Sequence, residues 1–229
     1  MKVTLLASTD FYQIPDSVMG TAFEDFYLLS PDALMNDADT LCHFAGRSCY
    51  QAWDMPNEKT RTNSGYMNNI INQGHFSVLE HATATFYIEG VSRNLTHELI
   101  RHRHLSYSEL SQRYIDMENA QQVIPPAMGG GMKPLAGAIK ATYRLTVDSL
   151  LGLGKKRKQA REAARYDLPG GTETRIVVTG NMRAWRDMLY KRYSVHADAE
   201  IQELAKELLN QLKLIAPACF QDFPEEPFE

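Results

Sequence analysis

Cysteine is scarce: Cys42, Cys49 and Cys219 are the only three in 229 residues. An odd and sparse set is no disulfide framework, and it suits reduced thiols in a cytoplasmic protein. Cys42, His43 and Cys49 also lack the short CxxC spacing of a zinc knuckle. Long apolar runs are missing. The first residues, MKVTLLASTDFYQ, carry one lysine and an apolar stretch too short for a signal-peptide core. No window approaches the ~18 apolar residues that cross a bilayer, so no membrane role is expected. Excess positive charge is absent too. A net charge of −4 argues against the broad basic face of a general nucleic-acid binder, so any anion site must be local. Gly129, Gly130 and Gly131 follow no strand in GxGxxG spacing, and Ser111 lacks the GxSxG elbow of a serine hydrolase.

What is present reads as an ordinary globular chain, with 44% hydrophobic and 23% charged residues. Its length suits one sizeable core, and one domain over residues 1–229 is the default. KVTLLAS, ATATFYIEG (82–90) and RIVVTG read as strands. A helix is expected to start at Ser30-Pro31-Asp32 and run to about Tyr50. Residues 51–63 read as loop, followed by a short helix ending at Gly74. SRNLTHELIRHRH reads as helical, with Val91, Leu95, Leu99 and Ile100 inward. Two helices broken near Gly152 and Gly154 fill about 133–166, and the charges of KKRKQAREAAR suit a solvated helix face. Asn181 can cap the helix MRAWRDMLYKRY. In the last helix Ile201, Leu204, Leu208, Leu212 and Ile215 recur at helical spacing and would bury one face. Strands and helices mix without strict βαβ alternation, which predicts an α+β fold with a mainly antiparallel sheet against helices.

The densest functional signal is RHRHLSYSELSQRY, residues 101–114. Upstream, HELIRH looks like the HExxH metalloprotease signature but is one residue too long. On a helix, positions five apart differ by about 140°, so His97 and His102 cannot share a metal, and no metal site is expected. Cys219, in APACF, has no adjacent base and reads as a structural thiol. On a helix Arg101 and Arg103 would project to opposite sides, and Glu98, Glu109, Asp116 and Glu118 interrupt the positive field. That weakens nucleic acid and favours a pocket in which a few arginines meet one compact anion. With Leu110–Tyr114 extended, Ser111 and Arg113 would point the same way and suit a phosphate. Arg101, Arg165 and Arg192 are further candidates. A non-catalytic RNA- or nucleotide-binding module using Arg101, Arg103, Arg113 and the tyrosines remains the rival reading.

Arg101-His102-Arg103 followed by seven residues and Ser111 resembles the signature of the flavin-dependent thymidylate synthases. GHFSVLEH (74–81), TRIVVTGNMRAW (174–185) and KRYSVHADAEI (191–201) resemble that family's other blocks in the same order, over most of residues 42–225. The resemblance implies an α+β homotetramer with active sites shared between subunits. It implies reductive methylation of dUMP to dTMP, with 5,10-methylenetetrahydrofolate giving the carbon, FAD the electrons and NADPH re-reducing the flavin. No cysteine nucleophile is needed.

Carried over by position, the resemblance implies FAD contacts from His75, Ser77, Arg101, His102, Arg103, Glu109, Asn181, Met182, Arg183 and Asp187. It implies dUMP contacts from Glu98, Leu99, Ile100, Arg101, Glu109, Leu110, Ser111, Gln112, Arg113, Arg165 and Arg192, with Tyr114 and Lys158 nearby. Arg192 would be catalytic, binding the uracil and stabilising it when ionised. Asp187 departs from the pattern, since relatives carry Asn or His there; it could accept from the flavin nucleotide or pair with Arg183.

Overall fold

A computed structural model describes residues 1–24, 36–54, 57–131 and 136–229. Four strands form one antiparallel sheet in the order β1-β2-β4-β3: β1 (Lys2–Ser8), β2 (Thr83–Ser92), β3 (Ser106–Glu109) and β4 (Glu173–Asn181). The α+β expectation holds. Along β2 and β4, alternate residues Ala84, Phe86, Ile88, Ile176 and Val178 are buried on one face, as period-2 patterning requires. The alternation slips at Gly90, whose φ of +72° and place beside the Met1 backbone suit a residue without Cβ.

Seven helices among the described residues complete the fold: α1 (Asp37–Tyr50), α2 (Asn63–Asn72), α3 (Arg93–Leu99), α4 (Ala136–Gly152), α5 (Arg157–Ala164), α6 (Met182–Arg192) and α7 (Ala199–Ile215). The apolar stripe of α7 buries Ile201, Leu204, Leu208 and Leu212, with Ile215 partly covered, and packs on β1, α3 and α6. Trp185 of α6 meets Phe86 edge-on at 5.3 Å and donates to the Ala84 carbonyl. Gly180 permits this closure, because a Cβ there would lie 2.2 Å from Leu105 Cδ2. A smaller cluster of Met117, Tyr143, Val147, Ala160 and Ala164 joins α4 and α5 apart from the main core.

Two local expectations need correction. The helix after β2 stops at Leu99, leaving Ile100 exposed and Arg101–His104 in a turn. Its helical register therefore cannot be used to separate Arg101 from Arg103 or His97 from His102. Tertiary hydrogen bonding wins here: the Tyr107 hydroxyl reaches the carbonyls of Leu99 (2.7 Å) and His102 (2.8 Å) and holds the chain in its turn. The extended segment is Ser106–Glu109, not Leu110–Tyr114. Past the pairing with β4 the Ser111 carbonyl accepts from the amides of Tyr114 and Ile115, so Ser111 and Arg113 sit in a turn. Residues 129–131 belong to a 3-10 turn, Pro126–Gly131. The expected helix start at Ser30-Pro31-Asp32 lies outside the described residues, and α1 is seen from Asp37.

Candidate active site

The sheet delivers two chain turns to one place. β2 runs into α3, whose end leads to the Arg101–His104 turn, and neighbouring β4 runs into α6. Ser92 and Asn181 cap the two helices, accepting from Leu95 N (3.0 Å) and Ala184 N (2.8 Å). Asn181 thus caps α6 as the sequence suggested. Capping sets both helix directions, so that Arg192 in the last turn of α6 reaches α3.

Arg192 is held from three directions. Its Nε donates to His102 Nε2 (3.0 Å), Nη1 to Glu98 Oε2 (2.8 Å) and Nη2 to the Glu98 carbonyl (3.2 Å). A guanidinium has five N–H donors, so two remain, one on each terminal nitrogen. Burial pushes the Glu98 carboxyl up, as does nearby Asp198, while Arg192 and Arg101 favour its charged form. Burial and the Arg192 charge lower the His102 pKa, against the opposing pull of Asp187. His102 is therefore a neutral imidazole at Arg192 near pH 7.

Around this centre lies a cavity of about 480 Å³ lined by Arg101, His102, Arg103, His104, Asp187, Lys191 and Arg192. The two arginines of the motif thus share one pocket. A second cavity, about 390 Å³, is lined by Glu80, His104, Asn181, Arg183, Ala184 and Asp187. Asp187 does not pair with Arg183. It binds Lys191 through both oxygens (2.7 and 2.8 Å), while Arg183 pairs with Glu80. Burial opposes ionisation of Asp187, but Lys191 and His102 outweigh it and hold the carboxyl below its usual range.

The remaining expected residues divide. His75 and Ser77 are exposed, beside and within the 3-10 turn Phe76–Glu80 that packs on α6. The Met182 side chain is wholly in the core and its amide donates to the Ala82 carbonyl (2.9 Å). The Leu99 side chain is likewise core. Glu109 Oε1 accepts from Arg93 (2.7 Å), Thr96 (2.9 Å) and Thr174 (3.1 Å), which fixes it between α3 and β4. Leu110 packs partly on the α4–α5 cluster, and Ser111 and Gln112 are half-buried. Arg113 faces Glu162 at 3.7 Å, Lys158 lies 5.0 Å from the Tyr114 ring, and Arg165 lies over Tyr166. Among the described residues no hydrogen bond or ion pair joins Arg113 or Arg165 to the Arg192 cluster.

Glu80, His104 and Lys191 escaped the sequence reading. Lys191 had a usable signal, its four-residue spacing from Asp187 on a helix. Cys219 is fully buried, with its thiol pushed well up by its hydrogen bond with Cys42 and by burial. Asp39 accepts from the Ala218 and Cys219 amides at 2.8 and 3.0 Å.

Fold and site define an α+β protein with a half-open, arginine-rich pocket in which one arginine is fixed from several sides. A family profile described as thymidylate synthase complementing protein matches residues 33–218. The chain is 48% identical over 239 aligned residues to the flavin-dependent thymidylate synthases of Mycobacterium tuberculosis strain H37Rv and Mycobacterium avium strain 104. Each match covers 97% of this chain and 90% of the other. It is 47% identical over 236 residues to the enzyme of the same name from Mycobacterium marinum, with the same coverage. The chain belongs to the flavin-dependent thymidylate synthase family. No helix among the described residues is long and apolar enough to cross a membrane.

Proposed function

We propose that this protein converts dUMP to dTMP. The one-carbon unit comes from 5,10-methylenetetrahydrofolate, which leaves as tetrahydrofolate, and NADPH supplies the electrons through FAD. The observation that carries the reading is Arg192, fixed by Glu98 and His102 with two donors to spare at a cationic pocket. A guanidinium held in this way can bind the uracil and stabilise it when ionised at N3, without reorganising as charge develops.

The residues present fit a dinucleotide. Arg101, Arg103, Lys191 and Arg183 line adjoining cavities and match the sign of a diphosphate. In the first turn of α6 the Met182 amide is taken by Ala82 and the Ala184 amide by Asn181. Arg183, between them at this helix start, lines the second cavity. Arg101, Arg103, Arg183 and Asn181 would hold FAD, with His75 and Ser77 at its edge. Bound FAD supplies the electron transfer, and the chain's own groups bind, orient and polarise. Glu98, Arg101, Ser111, Gln112, Arg113, Arg165 and Arg192 would hold dUMP, with Glu109 between the two ligands.

The dUMP set falls into two groups that one protomer does not join, Arg192 with Glu98 and Arg113 with Arg165. A homotetramer whose sites form between subunits accounts for the split. Purified protein is expected to be yellow and to form dTMP from dUMP only with NADPH and methylenetetrahydrofolate. A colourless preparation that stays inactive after FAD is added would sink the proposal. Cys219→Ser is expected to leave kcat within a few-fold, since a buried thiol with a raised pKa is a poor nucleophile. Complete loss in a folded Cys219→Ser protein, judged by circular dichroism, would restore a covalent role for this residue.

A further inference from the structure

Arginine carries only donors, so the 3.0 Å bond from Arg192 Nε to His102 Nε2 requires a lone pair on that nitrogen. The ring must then be neutral with its proton on Nδ1. Nδ1 faces Asp187 Oδ2 at 3.6 Å, too long for a strong hydrogen bond but close enough for the charge to act on the ring. Lys191 holds that carboxylate by both oxygens. The Tyr107 hydroxyl fixes the backbone carbonyl of His102. Carboxylate, imidazole and guanidinium therefore stand in line, and each sets the state of the next.

The geometry points to Asp187 and His102 as positioning residues for Arg192: the carboxylate selects the Nδ1-protonated imidazole, whose Nε2 then fixes the guanidinium. The inference deepens the proposed function and rests on it for the role of Arg192. It gives Asp187 a task toward the protein's own arginine, where position alone suggested a flavin contact.

The groups facing the ring are Arg192, Asp187 and Lys191 from α6, Arg101, Arg103 and His104 from its own turn, and Glu98 of α3 behind Arg192. Burial and Arg192 place the midpoint of His102 below the ordinary 6.5, and Asp187 alone on α6 pulls it upward. As pH falls through that midpoint, Nε2 gains a proton, stops accepting and repels Arg192.

The test uses the flavin-loaded protein labelled with 15N-histidine, comparing wild type with Asp187→Asn, which keeps the side-chain shape and removes the charge. Expected are an Nδ1-protonated His102 in the wild type and a midpoint lower by about 0.5–1 pH unit in the variant. At flavin saturation kcat should fall about 10-fold, the size of effect common when the outer partner of a functional histidine is lost. The acid limb of kcat/KM for dUMP should move down with the midpoint. A ring protonated on Nε2, a midpoint unmoved by the substitution, or an unchanged kcat would each overturn the inference. A protein that makes no dTMP would refute the proposed function instead, and the imidazole measurement would still decide whether Asp187 sets the tautomer.

Discussion

Arg192→Ala is expected to abolish dTMP formation while leaving flavin bound. Loss of a fixed electrostatic stabiliser costs about 2.7–4 kcal/mol, or about 10²–10³-fold in kcat. Flavin retention is expected because Arg101, Arg103 and Arg183 remain. Truncation also leaves Glu98 without its Arg192 partner, so its carboxyl pKa should rise further, with Arg101 still favouring the charged form. Arg192→Lys should fare little better. An ammonium on a flexible stem cannot reach His102, the Glu98 carboxylate and the Glu98 carbonyl together. Single-turnover assays at matched flavin absorbance check both variants. Near-normal turnover by the alanine variant would remove Arg192 from its role.

Arg186→Ala is expected to have the largest effect on stability. Arg186 is buried one turn before the pocket-lining end of α6, and its guanidinium meets both Asp222 oxygens at 2.6 and 2.7 Å. It also donates to the Cys219 carbonyl and stacks over Phe223 at 4.9 Å. Arg186 is buried but the Asp222 carboxylate stays partly solvated, so the cost is mainly the lost packing and charge-assisted hydrogen bonds of Arg186, about 2–3 kcal/mol. Burial opposes ionisation of Asp222, but Arg186 and Tyr190 outweigh it and hold the carboxyl below its ordinary 3.8. The pair's contribution is thus present above that value and is lost as pH falls through the lower folded value. Urea unfolding at neutral pH should show the full deficit, and the gap to wild type should narrow in strong acid. A neutral-pH deficit under about 1 kcal/mol would mean that the pair adds nothing beyond a surface bridge.

Much of the scaffold was legible because it rests on patterns a chain carries locally. The stripe from Ile201 to Leu212 has one helical period, and the strands around Phe86 and Val178 have another. Asn181 caps α6 because its short oxygen reaches an amide three residues on. Less legible were the ends of elements. Nothing in SRNLTHELIRHRH says that the helix must stop at Leu99. The stop depends on Tyr107, eight residues later, bonding back to that turn from a strand paired with β4. The same distant pairing displaced the extended segment from Leu110–Tyr114 to Ser106–Glu109.

By itself the sequence determined the α+β class, the family and the residue types that meet anions, because periodicity and ordered motif blocks are properties of the chain alone. Tertiary structure decided which of those residues meet. It placed Met182 in the core, paired Asp187 with Lys191, and brought His102 and Glu98 onto Arg192 from 90 and 94 residues away. The reason is physical. A donor's partner depends on which strands adjoin in the sheet, and strand adjacency is set by burying the Phe86–Trp185 face rather than by spacing along the chain.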